Sequence, residues 1–275
     1  MAEQEDFWIR FWGVRGSIAC PGGDTLHYGG NTSCVEVRCG SRLLIFDCGT
    51  GARVFGNHLQ APLDADLFFS HTHFDHICGL PFFAPVFVPG NKLSLWAGHL
   101  GGKTTIREVL CSMMIDPLFP IPPDAMRADI TYKDFEAGET LSPAPGITLK
   151  TAPLNHPNGA TGYRLEFAGK VVCYVTDTEH VIGAPDENVL GLIEGADLLI
   201  YDATYTDDEY PQFEGWGHST WQEGARLCAA AGVKTYVLFH HAPSHDDAFM
   251  DRIAEEVDRM RPGAVVAREE LILRP

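Results

Sequence analysis

The sequence predicts an α/β protein in which loops at one edge of the sheets carry the functional groups. Apolar runs typical of buried strands recur along the chain, and two later segments show helical patterns. Where strand-like runs end, a histidine or an aspartate follows at six places: Asp47, His71, His156, Asp177, Asp202 and His240. One such residue would be an ordinary turn or cap, whereas six indicate groups gathered over a rigid sheet.

Composition excludes some functional classes. At 275 residues the chain is long enough for one large domain or two small ones, and its 45% hydrophobic residues supply a core. A net charge of −17 is unlike a general nucleic-acid surface, so we expect no stable nucleic-acid partner. No apolar stretch reaches membrane-spanning length, and the acidic residues 1–6 are unlike a signal peptide. With eight scattered cysteines that fit reduced thiols, these features predict a cytoplasmic protein without membrane contact.

The N-terminal part begins with a predicted strand at residues 7–12, followed by a glycine-rich loop up to residue 34. Two interpretations of this loop stay open: a cradle of backbone N–H groups for an anionic ligand, or a set of tight turns. Residues 35–38 and 43–46 then indicate a hairpin. Its second strand ends at Asp47, which we interpret as a carboxylate that orients a metal-bound histidine.

The densest chemical signal follows the apolar run at residues 66–69, where three histidines and an aspartate fall within six residues. His71 and His73, two apart on extended backbone, can point toward one metal ion. Asp75 and His76 stand where a helix could begin and can face a second ion. Imidazole nitrogens and carboxylate oxygens are the ligands expected for zinc-like ions. The alternative, a polar turn with accidental histidines, leaves the later histidines and aspartates without explanation.

Residues 93–96 are a further predicted strand, whereas residues 97–145 are the least regular part of the sequence. A helix is expected within residues 104–114, and the prolines at residues 117–123 exclude regular structure there. A loop this stiff and apolar fits either a pocket wall or a subunit contact in a homodimer, and both interpretations stay open.

The C-terminal half returns to regular strands, predicted at residues 147–152, 163–167, 170–176, 197–201 and 233–239. Between the last two strands, Thr220 and Glu223 have the spacing of a helix capping box, and Gly232 ends that helix. A final helix is expected near residues 246–260, where apolar residues recur on one face.

Together these residues resemble a known family. The run from His71 to His76 is similar to the His-x-His-x-Asp-His signature of the metallo-β-lactamase superfamily, and within it to the ribonuclease Z-like and cyclic phosphodiesterase group. The resemblance covers nearly the whole chain. It implies a four-layer αββα sandwich formed as one domain by residues 1–275, with a proline-rich insertion around residues 97–145.

The resemblance also implies a ligand set. Seven residues match the family's metal ligands: His71, His73 and His156 for one ion, Asp75, His76 and His240 for the other, and Asp177 between them. The cofactors implied are two divalent ions, zinc in the first place, with manganese or iron as alternatives. We expect His241 outside the ligand set, and His180 and His245 at helix caps or on the surface.

Two further motifs separate phosphodiesterases from lactamases and thioesterases of the same fold. Residues 202–204 are similar to the family's Glu-Ala-Thr element, with aspartate replacing glutamate, and residues 218–220 match its His-Ser-Thr loop. The resemblance implies that Asp202 holds His218, which donates a proton to the departing alkoxide. Asp75 would orient the nucleophile, a hydroxide bridging two ions about 3.5–4 Å apart.

These features predict a dinuclear metal-dependent phosphodiesterase that hydrolyses a small cyclic nucleotide or a similar phosphodiester. Transfer-RNA 3′-end processing, the activity of the nearest named family, is the alternative. The stretch between His156 and Asp177 is too short for the long basic arm of true ribonuclease Z enzymes. A non-catalytic scaffold that binds metal or nucleotide is a third hypothesis, disfavoured because all the ligand positions and the Asp202–His218 pair are present.

Overall fold

The computed structural model describes residues 6–275, so the first five residues of the acidic start lie outside the described residues. Strands alternate with helices along this part of the chain. In chain order the strands are β1 (Phe7–Gly13), β2 (Cys34–Cys39), β3 (Arg42–Phe46), β4 (Asp64–Phe69), β5 (Lys92–Ala97), β6 (Asp129–Asp134), β7 (Thr140–Leu141), β8 (Thr148–Leu154), β9 (Ala160–Phe167), β10 (Lys170–Val175), β11 (Leu198–Asp202), β12 (Thr235–Phe239), β13 (Val265–Val266) and β14 (Ile272–Leu273).

The α-helices are short apart from the last two. They are α1 (Gly51–Gly56), α2 (Phe74–Ile77), α3 (Ile106–Ser112), α4 (Glu187–Ile193), α5 (Trp221–Ala231) and α6 (Asp247–Met260). None of the helices formed by residues 6–275 combines the length and the apolarity needed to cross a membrane.

The strands form two seven-stranded sheets. Neighbours in the first sheet run β14-β1-β2-β3-β4-β5-β6, and those in the second run β13-β12-β11-β10-β9-β8-β7. Successive side chains of a strand point to opposite faces of its sheet. In β1, Ile9 and Phe11 therefore enter the core between the sheets, whereas Trp12 packs in a separate apolar cluster.

Three apolar clusters define four layers. The central cluster joins side chains from both sheets, such as Phe46 of β3 and Tyr174 of β10, whose ring centroids lie 5.3 Å apart. A second cluster packs α1 and α3 on the first sheet, and a third packs α4, α5 and α6 on the second. Burying one large apolar side chain contributes ~1.5–3 kcal/mol, so these clusters stabilise the layers. The predicted αββα sandwich is confirmed.

Strand direction brings the functional strand ends together. β3 is parallel to β4 in the first sheet, and β10, β11 and β12 are parallel in the second. β8 and β10 both run antiparallel to β9, so they point the same way. The residues that follow these strands gather at one edge of each sheet. A hydrogen bond from the Tyr174 hydroxyl to Asp47, 2.7 Å long, links the two edges.

The residues that the sequence predicted at the two ends of α5 make the expected capping contacts. Thr220 caps the helix by accepting from the Glu223 N–H, and Gly232 ends it in the left-handed conformation with φ of 66°. The Glu223 side chain bonds Arg226, so the capping box is only half formed. The sequence did not suggest α4, which begins where Asp186 accepts hydrogen bonds from two first-turn N–H groups.

Residues 97–145 contain more regular structure than the sequence suggested. α3 lies inside the predicted helical segment and begins with a complete capping box between Thr105 and Glu108. β6, which was not anticipated, extends the first sheet parallel to β5. The proline-rich stretch forms turns and bends and ends in a short 3-10 helix at Pro123–Ala125, and its Phe119 contacts Phe82 at a centroid distance of 5.7 Å. It therefore lies against the segment that follows α2.

Candidate metal centre

The seven predicted ligands converge in two groups. The ligand atoms of the first group, His71, His73 and His156, all lie within 4.8 Å of one another, and so do those of the second group, Asp75, His76 and His240. Asp177 lies between the groups. Its Oδ1 is 3.6 Å from His71 Nε2 and 3.7 Å from His156 Nε2. Its Oδ2 is 3.2 Å from His76 Nε2 and 3.4 Å from His240 Nε2.

A change of backbone conformation lets one short segment serve both groups. His73 is extended, with φ of −65° and ψ of 154°, so it shares a face with His71 two residues earlier. α2 begins at the next residue. The helical turn carries Asp75 and His76 to the second group, where both side chains are buried.

The donor atoms fit a divalent metal better than a hydrogen-bonded core. His71 Nε2 is buried and has no hydrogen-bond partner among the described residues. His156 Nε2 lies 3.0 Å from His73 Nδ1, and His76 Nε2 lies 3.3 Å from His240 Nε2. Buried polar atoms normally have partners, and nitrogen and carboxylate donors this close together are typical of metal sites. The cluster is compatible with a divalent-metal site.

Electrostatics around the cluster also favour a cation. Burial opposes a charge on His76, yet Asp177, Asp75 and Asp47 outweigh it and raise the pKa of that imidazole well above its usual value. Burial likewise opposes a charge on Asp177, but the surrounding histidines, His240 foremost, hold the pKa of its carboxyl well below the usual range. The Asp177 carboxylate therefore favours its ionised form and attracts positive charge to the centre.

A buried carboxylate supports the second group from behind. Asp47 Oδ2 accepts hydrogen bonds from His76 Nδ1 at 2.8 Å and from the Tyr174 hydroxyl at 2.7 Å. The hydroxyl and the N–H of Ser70 donate to the same carboxylate at 2.8 and 2.7 Å. Because Asp47 accepts the proton on Nδ1, His76 presents Nε2 to the centre, where a bound cation would take the place of the second proton. This is the geometry that the sequence suggested for Asp47.

The glycine-rich loop approaches the second group with its backbone. A Cβ atom at Gly16 would stand 2.3 Å from the His240 ring, so the position requires glycine. The N–H of Ser17 donates to Asp75 Oδ2 at 2.8 Å. One N–H of the loop thus binds an anionic group, which is a carboxylate of the protein itself. On another side of His240, Thr204 Oγ1 lies 3.0 Å from Nδ1.

The first group is supported by residues 213–217, which we call the clamped loop. His156 Nδ1 donates to the Gly217 carbonyl at 2.7 Å. Glu179 fixes this loop by accepting from the Gly215 N–H at 2.7 Å and from the Gly217 N–H at 2.6 Å. Gly217 has φ of +86°, and a Cβ there would stand 2.3 Å from His156 Nδ1. Sequence reasoning missed Glu179, although it lies only two residues after Asp177.

Asp202 and His218 form a buried pair beside the ligands. His218 Nδ1 donates to Asp202 Oδ2 at 3.0 Å, and the same nitrogen lies 3.8 Å from Asp177 Oδ1. Burial lowers the pKa of His218, but Asp202 outweighs burial and raises that pKa to about 9. Asp202 therefore reaches His218, although the family that the sequence resembles has the longer glutamate at this position. The carboxylate of Asp202 therefore favours the charged form of this imidazole.

Residues 42–241 match the family model described as the beta-lactamase superfamily domain. The chain belongs to this superfamily. It is 25% identical over 269 residues to ribonuclease Z of Myxococcus xanthus, a match that covers 81% of this chain and 84% of that protein.

Solved structures of this superfamily's fold are similar over nearly the whole chain. A diphosphatase from the PhnP family has a TM-score of 0.71 and 20% identity, with 98% of both chains covered. Zinc-bound PqqB from Methylobacterium extorquens has a TM-score of 0.74 and 17% identity, with 98% of this chain and 100% of that chain covered. These likenesses confirm the metallo-β-lactamase fold. As a member of the superfamily with this cluster, the protein is a metal-dependent hydrolase.

Three residues of the superfamily site have left-handed backbone. Asp47, Asp177 and His240 have φ values of 59°, 56° and 62°, and each follows a strand closely. This conformation is uncommon for residues other than glycine and costs on the order of 1–3 kcal/mol at each position. The surrounding hydrogen bonds offset that cost. The sharp turn at each strand end brings the side chain toward the centre.

Two histidines outside the ligand set correct the sequence-based expectation. His180 and His245 were expected at helix caps or on the surface, and this is wrong because both are buried. The ring of Tyr210 stacks on His180 at 4.2 Å, and that of Phe249 stacks on His245 at 4.0 Å. Tyr210 comes from a distant segment to cover His180, whereas Phe249 covers His245 from the first turn of α6, four residues later.

Two further histidines lie near the centre without belonging to the two groups. His241 is buried, and its Nε2 lies 2.8 Å from the Ala267 carbonyl, so it packs behind the site. His99 has Nε2 at 3.0 Å from Thr72 Oγ1. His99 therefore contacts the residue between the predicted ligands His71 and His73.

Proposed function

We propose that the protein is a dinuclear metal-dependent phosphodiesterase that hydrolyses a small phosphodiester, such as a cyclic nucleotide. The observation that carries this proposal is the buried Asp202–His218 pair beside the metal cluster, with His218 Nδ1 3.0 Å from Asp202 Oδ2. A protonated imidazole at that place can neutralise a leaving alkoxide, which phosphodiester hydrolysis requires. The similarity to a ribonuclease Z and to a PhnP-family diphosphatase supports the same reaction class.

The proposed cofactors are two divalent ions. His71, His73 and His156 would hold one, Asp75, His76 and His240 the other, and Asp177 would contact both. Mixed imidazole and carboxylate donors suit zinc, and the similarity to zinc-bound PqqB supports that choice. Bound there, the ions would supply an acidified water and neutralise charge on the phosphate oxygens.

The chain's own residues would divide the proton transfers between them. Asp75, held by the Ser17 N–H, would orient the attacking water and accept its proton. His218 would donate its Nε2 proton to the departing oxygen, while Asp202 fixes the ring and stabilises its charge. A general acid of this kind contributes a factor of ~10²–10⁴ to the rate.

A small substrate is proposed because the site lacks an extension for RNA. Between His156 and Asp177, where every residue is described, β9 and β10 form a hairpin connected by Ala168 and Gly169 alone. The net charge of −17 also supplies little attraction for a polynucleotide. Transfer-RNA 3′-end processing remains the second candidate because the Myxococcus xanthus relative is named a ribonuclease Z.

We also propose that residues 1–275 act as one domain in which the region around residues 97–145 is an insertion. Packing of α3 on the first sheet beside α1 supports this proposal. A cytoplasmic location is proposed because the cysteines are scattered along the sequence and several of them, such as Cys48, Cys173 and Cys228, are small residues of the buried core.

The test is a substrate panel with protein of measured metal content. Purified enzyme is assayed on 2′,3′- and 3′,5′-cyclic nucleotides, bis(4-nitrophenyl) phosphate and precursor transfer RNA. The proposal expects two ions per chain and turnover of small diesters well above that of the RNA. Efficient RNA processing with untouched small diesters would establish the second candidate instead.

A further inference from the structure

The clamped loop carries a large aromatic side chain that is mostly exposed. Trp216 exposes 62% of its surface, although most large apolar side chains of the described residues are buried. It precedes Gly217, whose carbonyl accepts from the ligand His156, and it stands two residues before His218. The indole thus lies next in sequence to two groups of the site.

The backbone that carries Trp216 is fixed rather than loose. Glu179 accepts hydrogen bonds from the N–H groups on both sides, at Gly215 and Gly217, with distances of 2.7 and 2.6 Å. The Trp216 N–H itself donates to the Phe213 carbonyl at 3.0 Å. A side chain on such a loop loses little conformational freedom when it binds a ligand.

The indole is also the outer member of a row of rings that leads to the proposed acid. Trp216 meets the edge of Phe213 at a centroid distance of 5.5 Å, and Phe213 stacks on Tyr205 at 4.3 Å. Tyr205 in turn meets the edge of His218 at 6.1 Å. These contacts fix the orientation of Trp216 relative to His218, and they leave most of the indole free.

We propose that Trp216 is a stacking platform for a planar ring, such as a nucleobase, on the substrate's leaving side. This inference rests on the proposed function, because it takes His218 as the group that protonates the leaving oxygen. A leaving group held at His218 lies beside the clamped loop. Every nucleobase offers a π-face, so an exposed indole there selects nucleosides over base-free sugars without selecting one base.

The flanks of Trp216 argue against a subunit contact. Its neighbours Glu214 and Gly215 are exposed, one charged and one without a side chain. Interfaces between copies of a chain instead have an apolar centre from which charged residues are depleted. A ligand ring that covers a single tryptophan needs no such continuous surface.

The experiment compares two substrates that share the reacting group. Metal-loaded wild type, Trp216→Ala and Trp216→Phe are assayed on adenosine 2′,3′-cyclic phosphate and on the 2′,3′-cyclic phosphate of 1-O-methylribose, which has no base. Trp8→Ala is the matched control, because Trp8 lies near the start of β1, far along the strand from Gly13 at the site edge. Metal content and molecular mass in solution are measured for every variant.

The ratio of kcat/KM for the nucleotide to kcat/KM for the base-free diester should fall about tenfold in Trp216→Ala, chiefly through KM. Trp216→Phe should retain most of the ratio, and Trp8→Ala all of it. An unchanged ratio in Trp216→Ala would overturn the inference, as would equal losses on both substrates or a change from dimer to monomer. If wild type cleaves other small diesters of the substrate panel but neither of these two, the inference is overturned, because a nucleoside leaving group is then not accepted. If wild type cleaves no small diester at all, the proposed function itself fails.

Discussion

The two halves of the metal centre are built differently. The second group, Asp75, His76 and His240, is buried throughout, and hydrogen bonds tie it to strand ends of both sheets. The first group contains the half-buried His73, and its His156 depends on the carbonyl of the clamped loop. One half is therefore part of the sandwich, whereas the other is completed by a loop.

Because of this difference, the two groups of the centre can serve separate purposes. A group fixed by buried hydrogen bonds to sheet residues holds its geometry whatever the loops do, because the charges and dipoles around it cannot reorient. A group completed by a loop leaves space for a substrate and shares that loop with substrate-facing residues. Here the clamped loop carries Trp216, binds His156 through the Gly217 carbonyl and is followed directly by His218. Changes in that loop should alter substrate preference before they abolish the site.

Removing the residue shared by both halves should have the largest effect. Asp177→Ala deletes the carboxylate that faces ligands of both groups, so metal and activity should be lost together. The loss of activity should exceed the roughly 100-fold cost typical of outer-shell partners. Metal per chain and kcat/KM on bis(4-nitrophenyl) phosphate are the measurements. Asp64→Ala, at the opposite end of β4, is the control. A variant that keeps both metal and activity would show that Asp177 is no ligand.

The next effect should depend on the leaving group. His218→Ala should keep its metal and lose ~10²–10⁴ in rate with a ribose alkoxide, because the oxygen then leaves unprotonated. With 4-nitrophenolate, a good leaving group, the loss should be small. Asp202→Asn should show the same dependence more weakly, since it disturbs the orientation of His218 without removing it. Equal losses on both substrates would assign the pair a structural role.

Weakening the support of the buried second group should reduce metal affinity or activity less than removing a ligand does. In Asp47→Asn an amide replaces the carboxylate that holds His76, so metal affinity or activity should fall ~10–100-fold. Tyr174→Phe removes one hydrogen bond to the same carboxylate and should have a smaller effect. Metal retention is measured after dialysis against graded chelator concentrations. If Asp47→Asn retains metal like wild type, the second group does not depend on this support.

The smallest of these effects should come from weakening the support of the first group, which the clamped loop completes. In Glu179→Gln one oxygen can still accept from the clamped loop, but the new NH₂ group cannot accept from the second N–H. His156 and His218 should both lose alignment, with kcat reduced by roughly tenfold, near the lower limit for outer-shell changes. Glu214→Gln, exposed on the same loop, is the matched control. Identical kinetics of the two variants would mean that Glu179 does not position the site.

Sequence alone predicted the parts of this protein that depend on local pattern and on the chemistry of side chains. Thr220 and Gly232 mark the ends of α5 because capping involves only residues of the helix ends. Alternating or continuous apolar runs located most strands, since the side chains that a strand buries are apolar residues of the strand itself. The seven ligand candidates were predicted from the resemblance of the run from His71 to His76, and of the residues after later strands, to the metal ligands of the superfamily.

Only the tertiary structure decided which residues support the site and which of its two groups depends on a loop. Tyr174 donates to Asp47 across 127 positions of the chain, and Arg15, wholly buried, donates to the His245 carbonyl across 230. Such bonds form because each buried polar group must find a partner wherever packing brings one. Partners this distant leave no periodic trace in the sequence. The burial of His180 and the clamp from Glu179 to residues 213–217 depended on loop packing for the same reason.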